Sequence, residues 1–295
     1  MATNPDCIPN PTACTRVGNT TMTLQRPLPR RLLGVWAHPD DEAYLSAGLM
    51  ARVVAAGGQV TVITATRGEK GTDDPDRYDS ESFGAHRELE LRNSLAVLGV
   101  NDIRFLDLRD GECDLADAAT QIGRIAAVID EVRPDAIVTF GPDGMTNHAD
   151  HLAISRWATD AWIANPVGEL LYATVTHRFA VANRELHDRI GIFGDFPDGQ
   201  ARSVGDDRIA LGCTLSESEL DTKRLALSAH HSQTAGLAKL MGEDVYRTWF
   251  QEETFRCPTR FELAPAIASV PRFEAHRIDA SAAAGSTIPA LELAA

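Results

Sequence analysis

The chain has 295 residues, 44% of them apolar, and a formal net charge of −14 at pH 7. A chain of this length can bury a large core in one or two domains, and no window approaches the roughly 18 consecutive apolar residues of a membrane-spanning helix. The acidic balance argues against nucleic acid or an anionic membrane as the main partner, so the composition favours a small polar substrate.

Apolar runs and helical patterns alternate along the first part of the chain, beginning with the strand "RLLGVWA" at 31–37. A helix at 45–57 ends at Gly-Gly, and the β-branched run at 59–66 completes a βαβ unit, which implies a parallel sheet. The predicted elements that follow are a helix at about 81–98, a strand at 103–108, a helix at 114–132, a strand at 136–140, a helix at about 151–164 and a strand at 170–176. This alternation predicts an α/β fold: a Rossmann-like, doubly wound, mostly parallel sheet with helices on both faces.

The two ends of the chain differ in composition from this middle part. Residues 1–29 are polar and rich in Pro, Asn and Thr, which predicts a flexible arm without a secretory signal. Residues 178–275 are less regular, with one helix predicted at about 216–231 and mixed loops elsewhere, and residues 276–295 are predicted to be a weakly ordered tail. We therefore expect a single domain over 30–275. Five scattered cysteines without a C-x-x-C pair fit a reducing cytoplasm.

Clusters of histidines and acids follow the first and the fourth predicted strands. The stretch "AHPDDE" at 37–42 comes directly behind strand one, and "HADH" at 148–151 follows strand four. Because ligands bind beyond the carboxyl ends of strands in such sheets, we expect the two clusters to meet there. Like charges tolerate proximity when a cation lies among them. Imidazole and carboxylate ligands without thiolate suit Zn²⁺ or another divalent transition metal, so the sequence predicts a metal site.

The residues of the two clusters divide into metal ligands and proton-transfer groups. A catalytic zinc takes three protein ligands and leaves a position for water, and the predicted ligands are His38, Asp41 and His151. Asp40 is then placed beside that water as general base. His148, one helical turn before the last ligand, is expected to donate a proton or stabilise an oxyanion. Asp150 is expected to orient a histidine.

Each motif also has an ordinary structural interpretation. Acids before a helix often cap its N-terminus and interact with its dipole, and a lone H-x-x-H at the start of a helix is commonly exposed. The occurrence of both motifs behind parallel strands is what favours metal chemistry. A nucleotide-binding Rossmann protein is a rival, although no G-x-G-x-x-G follows the first strand. A binding module without catalysis would not need the complete set of ligands and base.

The stretches "AHPDDE" and "HADH" together resemble the PIG-L/LmbE family of zinc-dependent N-acetylglucosaminyl deacetylases. Further matches are "HRELELRNSLAVLG" (86–99), "RDG" (109–111) and "KRLALSAHHSQ" (223–233), so the resemblance spans about 31–235. It implies the same ligands and the same base, with His148 protonating the leaving amine and Asp150 as its charge-relay partner. It also implies that Arg87 and Asp110 hold sugar hydroxyls.

The residues and the resemblance together predict a metal-dependent hydrolase of the cytoplasm. It removes the N-acetyl group from an N-acetylglucosamine-type sugar or glycoconjugate and has no nucleic-acid or membrane partner. An alternative use of the same site is cleavage of a thiol–sugar conjugate by an amidase. The sequence leaves open the aglycone, the physiological metal, whether the chain forms a homo-oligomer, and the roles of Glu42, Arg67, His230 and His231.

Overall fold

The computed structural model describes residues 27–72 and 79–267. The predicted tail at 276–295 and most of the predicted arm at 1–29 lie outside these residues. The strands are β1 (Arg31–Trp36), β2 (Gln59–Thr66), β3 (Asp102–Leu108), β4 (Ala136–Phe140), β5 (Glu169–Thr176), β6 (Ser203–Val204), β7 (Ile209–Thr214) and β8 (Glu252–Arg256). The helices are α1 (Asp41–Ala55), α2 (Ser80–Val97), α3 (Ala118–Val132), α4 (Gly144–Asn147), α5 (Ala149–Ala164), α6 (His177–Ala182), α7 (Arg184–Ile190), α8 (Glu217–Ala229), α9 (His231–Met241), α10 (Glu243–Trp249) and α11 (Arg260–Ile267).

The strands form one mostly parallel sheet in the order β3-β2-β1-β4-β5-β8-β7, with β6 paired to β5. The first five strands in this order are parallel, whereas β8 runs antiparallel to both β5 and β7. The chain moves outward from β1 to β3 and then returns to β4, so the topological switch point lies between β1 and β4. The predicted α/β fold is confirmed.

The helices cover both faces of this sheet. Right-handed crossovers in opposite directions from the switch point place α1 and α2 on one face and α3 and α5 on the other. In agreement, α3 packs against α5, while α8 packs against both α1 and α2. Every residue of β1 after Arg31 and of β2 after Gln59 is buried, as expected for apolar strands covered on both faces. No helix among the described residues is long and apolar enough to cross a membrane.

Three features differ from the sequence prediction. Helix α1 begins at Asp41 rather than at residue 45, so two of the three consecutive acids lie in its first turn. The helix predicted at 216–231 is interrupted at His230, where α8 ends and α9 follows. The mixed loops predicted in 178–275 instead contain β6–β8 and several short helices. Strand β8 has the sequence "EETFR", and its residues after Glu252 are buried. Its charged residues do not predict a buried strand.

Candidate metal and active site

Asp40 occupies an unusual position at the junction of β1 and α1. Its φ is 120°, a conformation rarely adopted by residues other than glycine. It stands at the N-cap of α1, yet its side chain makes no capping hydrogen bond. Its amide donates instead to Oε2 of Glu42 at 3.0 Å. Backbone strain at a residue whose carboxylate makes no capping hydrogen bond favours a functional role for Asp40. It disfavours the interpretation that this acid is present only to cap the helix.

The next residue, Asp41, turns its carboxylate back over the same loop. Its Oδ2 accepts hydrogen bonds from the amides of Ala37 at 3.2 Å and His38 at 2.8 Å. The same oxygen lies 3.7 Å from Nδ1 of His38, and Oδ1 lies 3.5 Å from Nε2 of His151. The loop therefore presents this carboxylate to a histidine from each motif.

The second motif is held by the start of α5. His148 is the N-cap residue, and its Nδ1 accepts from the amide of Asp150 at 3.2 Å, which leaves Nε2 as the protonated nitrogen. The ring of His151 stacks on Phe140 at a centroid distance of 4.1 Å, and its Nδ1 donates to the carbonyl of Gly144 at 2.9 Å. Its unprotonated Nε2 therefore points toward the β1–α1 loop.

The two motifs meet at the carboxyl ends of β1 and β4, although 113 positions separate His38 from His151. Nδ1 of His38 lies 3.1 Å from Nε2 of His151. The ring of His148 is 4.9 Å from the first ring and 5.1 Å from the second. One nitrogen of each of the three histidines lies within 4.8 Å of the others, although Nδ1 of His148 already accepts from the amide of Asp150.

The other nitrogen of His38 faces two carboxylates. Nε2 lies 3.1 Å from Oδ1 of Asp110 and 3.1 Å from Oδ2 of Asp150. Asp150 is fully buried and also accepts from the amides of Gly111 and Cys113. Burial opposes ionisation of this carboxyl, but the hydrogen bonds from the ring and the two amides lower its pKa below the usual range. Its charge fixes the proton of the ring on Nε2.

The donor atoms fit a divalent cation. With their other nitrogens protonated, Nδ1 of His38 and Nε2 of His151 direct two lone pairs at each other beside the Asp41 carboxylate. Tetrahedral zinc with bonds of about 2.0–2.2 Å places its donor atoms roughly 3.3–3.5 Å apart, and the observed separations are 3.1, 3.5 and 3.7 Å. Burial lowers the pKa of His38, but the surrounding carboxylates raise it to about 10. Protons and cations therefore compete for the same nitrogen.

Arg87 lies beneath the β1–α1 loop and is only 3% exposed. Its guanidinium donates to the carbonyls of Gly68, at 2.9 Å, and Pro39, and it lies 3.3 Å from Oδ2 of Asp40. Asp110 is also buried and accepts from the amide of Lys70 at 2.9 Å. Both predicted substrate contacts thus lie beside the histidine cluster, and their contact with a sugar stays a prediction.

Two residues that the sequence left unassigned join the site. Nε2 of His230 lies 2.8 Å from Oε1 of Glu42, and both side chains are fully buried. The second oxygen of Glu42 accepts from the amide of Asp40. His230 therefore positions Glu42, and Glu42 in turn holds the strained backbone of Asp40. The signal in the sequence was the pair of histidines in "AHHSQ", at the end of the helix predicted at about 216–231.

Comparisons with known proteins agree with this geometry. Residues 33–162 match the family model described as PIG-L: GlcNAc-PI de-N-acetylase. A 1D-myo-inositol 2-acetamido-2-deoxy-alpha-D-glucopyranoside deacetylase of Actinosynnema mirum is 36% identical, covering 70% of this chain and 81% of that protein.

Solved structures show the same fold at lower identity. N,N'-diacetylchitobiose deacetylase from Pyrococcus horikoshii aligns with a TM-score of 0.55 at 19% identity, covering 80% of this chain and 87% of that one. The 4-carboxy-2-hydroxymuconate hydratase GalB from Pseudomonas putida KT2440 aligns with a TM-score of 0.52 at 15% identity, covering 78% and 96%. Since a hydratase shares the fold, the chemistry has to be argued from the site.

Proposed function

Because the chain belongs to the PIG-L family of de-N-acetylases, we propose that it is a metal-dependent hydrolase that removes the N-acetyl group from an N-acetylglucosamine-type amino sugar or glycoconjugate. One observation carries the proposal. Two imidazole lone pairs and the carboxylate of Asp41 converge on one point, and the neighbouring residue, Asp40, carries a second carboxylate that does not cap the helix. This is the donor set of a catalytic zinc site with an adjacent base.

We assign three ligands to the metal: His38, Asp41 and His151. A Zn²⁺ ion bound there would supply a water whose pKa is lowered toward about 7 and would polarise the acyl carbonyl. The alternative group, formed by Nε2 of His38 with Asp110 and Asp150, suits a cation less well. Both oxygens of Asp150 already accept backbone hydrogen bonds, whereas those of Asp41 fall on Oδ2 alone and leave Oδ1 facing His151. Asp110 and Asp150 act better as partners that orient the ring.

The remaining residues manage protons around the amide. Asp40 removes a proton from the attacking water at its carboxylate, with Arg87 beside it to favour the charged form. His148 has its proton on Nε2, because Nδ1 accepts from a backbone amide. It therefore donates a hydrogen bond to the developing oxyanion, and one such donor contributes about 10²–10³ in rate. The proton that Asp40 took from the water then passes to the leaving amine, so that a carboxylate and a free amine are released.

We infer the substrate class from the substrates named for the relatives. The Actinosynnema mirum protein is a deacetylase of an N-acetylglucosaminyl inositol, so such a glycoside is the first candidate here. The alternative reaction, cleavage of a thiol–sugar conjugate, would use the same residues, and no relative described here favours it. The hydratase GalB shares the fold, but hydration of that kind needs no amide and would release no acetate.

Acetate release tests the proposal. Zinc-loaded protein is incubated with a panel of N-acetylglucosaminyl glycosides, including the inositol glycoside, and acetate and free amine are measured in parallel. We expect equimolar products from at least one glycoside, loss of activity with a chelator and recovery with Zn²⁺. Asp130→Asn, an exposed helix residue, is the matched control for variants of the site. Zinc-replete protein that releases no acetate from any member of the panel would overturn the proposal.

A further inference from the structure

An apolar pocket adjoins the metal site on the side of β5 and β8. Its cavity measures about 200 Å³, and two of the proposed ligands, Asp41 and His151, form part of its wall. Most of the remaining wall is aromatic or aliphatic: Phe140, Val175, Phe179, Phe193, Trp249 and Phe250. We refer to this cavity as the acyl pocket.

Three of the polar side chains that border the acyl pocket already have partners in the protein. Nε1 of Trp249 donates to His187 at 3.0 Å, and the hydroxyl of Tyr44 bonds to that of Tyr246 at 2.8 Å. Glu253 is paired with the buried ammonium of Lys223 at 2.8 Å. The pocket therefore offers mainly carbon to a ligand. An alkyl or aryl group fits such a surface, whereas a sugar would lose the hydrogen bonds of its hydroxyls there.

The polar side of the site lies in the opposite direction along the sheet. Asp110 follows β3, and Arg87 on α2 contacts the loop after β2, whereas the acyl pocket is bounded by β5 and β8, on the far side of β4. An amide carbonyl carries two substituents, the nitrogen with its sugar and the acyl chain. With the sugar on the polar side, the acyl chain extends past Asp41 and His151 into the apolar side.

We propose that the acyl pocket binds the acyl chain of the substrate and that this enzyme prefers N-acyl groups larger than acetyl, of medium aliphatic or aromatic type. The inference rests on the proposed amide hydrolysis. A cavity of about 150 Å³ is large enough for benzene, so a methyl group fills only a small part of 200 Å³. Each further buried methylene contributes up to about fourfold in affinity.

The test compares N-acetyl and N-hexanoyl forms of one glucosaminide, with release of the free amine as the readout. We expect kcat/KM to be at least about tenfold higher for the hexanoyl compound. Val175→Phe, which adds bulk inside the pocket, is expected to lower the hexanoyl-to-acetyl ratio about tenfold. The matched control is Val97→Phe on α2, outside the pocket, which is expected to keep the ratio.

Binding of the product acids provides a readout that needs no turnover. By titration calorimetry, hexanoate is expected to bind the zinc-loaded protein at least about tenfold more tightly than acetate, and Val175→Phe to remove the difference. Equal affinities overturn the inference, whether or not any amide is hydrolysed. Hydrolysis of N-acetyl compounds without a hexanoyl preference overturns it and leaves the proposed function standing. If instead a hexyl aglycone raises kcat/KM and Val175→Phe abolishes that increase, the pocket binds the aglycone. That result also overturns the inference.

Discussion

Asp40 combines a strained backbone, a carboxylate that caps nothing and a contact with a buried arginine. Any one of these properties can also occur at a residue without a catalytic role. Together they fit a residue held in place for chemistry, because backbone strain of about 1–3 kcal/mol persists only where the surrounding structure imposes it. Here Glu42 binds the amide of this residue and Arg87 binds the preceding carbonyl.

Asp40→Asn tests the assignment of the base. The amide keeps the shape of the side chain but cannot take a proton, so we expect kcat to fall by about 10²–10⁴-fold. Zinc content, measured by elemental analysis, should stay at the wild-type level because this residue is not a proposed ligand. Wild-type turnover in the variant would show that another group acts as the base.

The pH dependence of the reaction follows from the same carboxyl. Burial raises the pKa of Asp40 to about 6, with the charge of Arg87 opposing the rise and that of Asp41 adding to it. A base acts only when deprotonated, so activity is lost as pH falls through this pKa. A bound cation favours the carboxylate and moves the midpoint lower. We expect the acid limb of kcat/KM against pH to have its midpoint at or below about 6; a midpoint above about 7 would contradict the assignment.

At the scale of elements, helix α8 is joined to the sheet through one buried ion pair. Lys223 on α8 and Glu253 on β8 are fully buried and lie 2.8 Å apart. The ammonium also donates to the carbonyl of Tyr44 on α1. The pair therefore connects the helix behind the site, the helix that carries the predicted ligand Asp41 and the strand that borders the acyl pocket.

Lys223→Met is expected to destabilise the protein strongly. It leaves Glu253 charged and buried without its cation, and breaking a buried pair in this way costs about 3–5 kcal/mol in the free energy of unfolding. Urea denaturation measures this loss. Lys70→Met breaks an exposed pair with Glu112 and serves as the control, with stability close to wild type. Equal stability of the two variants would contradict a structural role for the buried pair.

The elements that were predicted well are those with strong local patterns. Apolar runs bounded by turn residues marked β1, β2 and β4 with ends within one residue of the structure. The start of α1 was misplaced because "HPDDE" contains no apolar residue, although Asp41 already lies in the first turn. Strand β8 was missed because three of its five residues are charged, and β7 because a glycine interrupts its short apolar run.

At the scale of the whole molecule, the sheet topology brings the two motifs together. Strands β1 and β4 are neighbours in the sheet although three helices and two strands separate them along the chain. The sequence predicted this meeting from the rule that ligands bind at the switch point of such sheets. It did not predict the acyl pocket, because much of its lining comes from the short helices and connections between β5 and β8, where the sequence shows no periodic pattern.

The central claim is that "HPDDE" and "HADH" build one metal site, and metal content tests it most directly. We expect elemental analysis to find about one equivalent of zinc per chain in wild-type protein after incubation with Zn²⁺. His38→Ala and His151→Ala should each lose it while keeping the wild-type circular dichroism spectrum, and His177→Ala, an exposed histidine on α6, should retain it. Full zinc content in either ligand variant, or none in the wild type, would contradict the account.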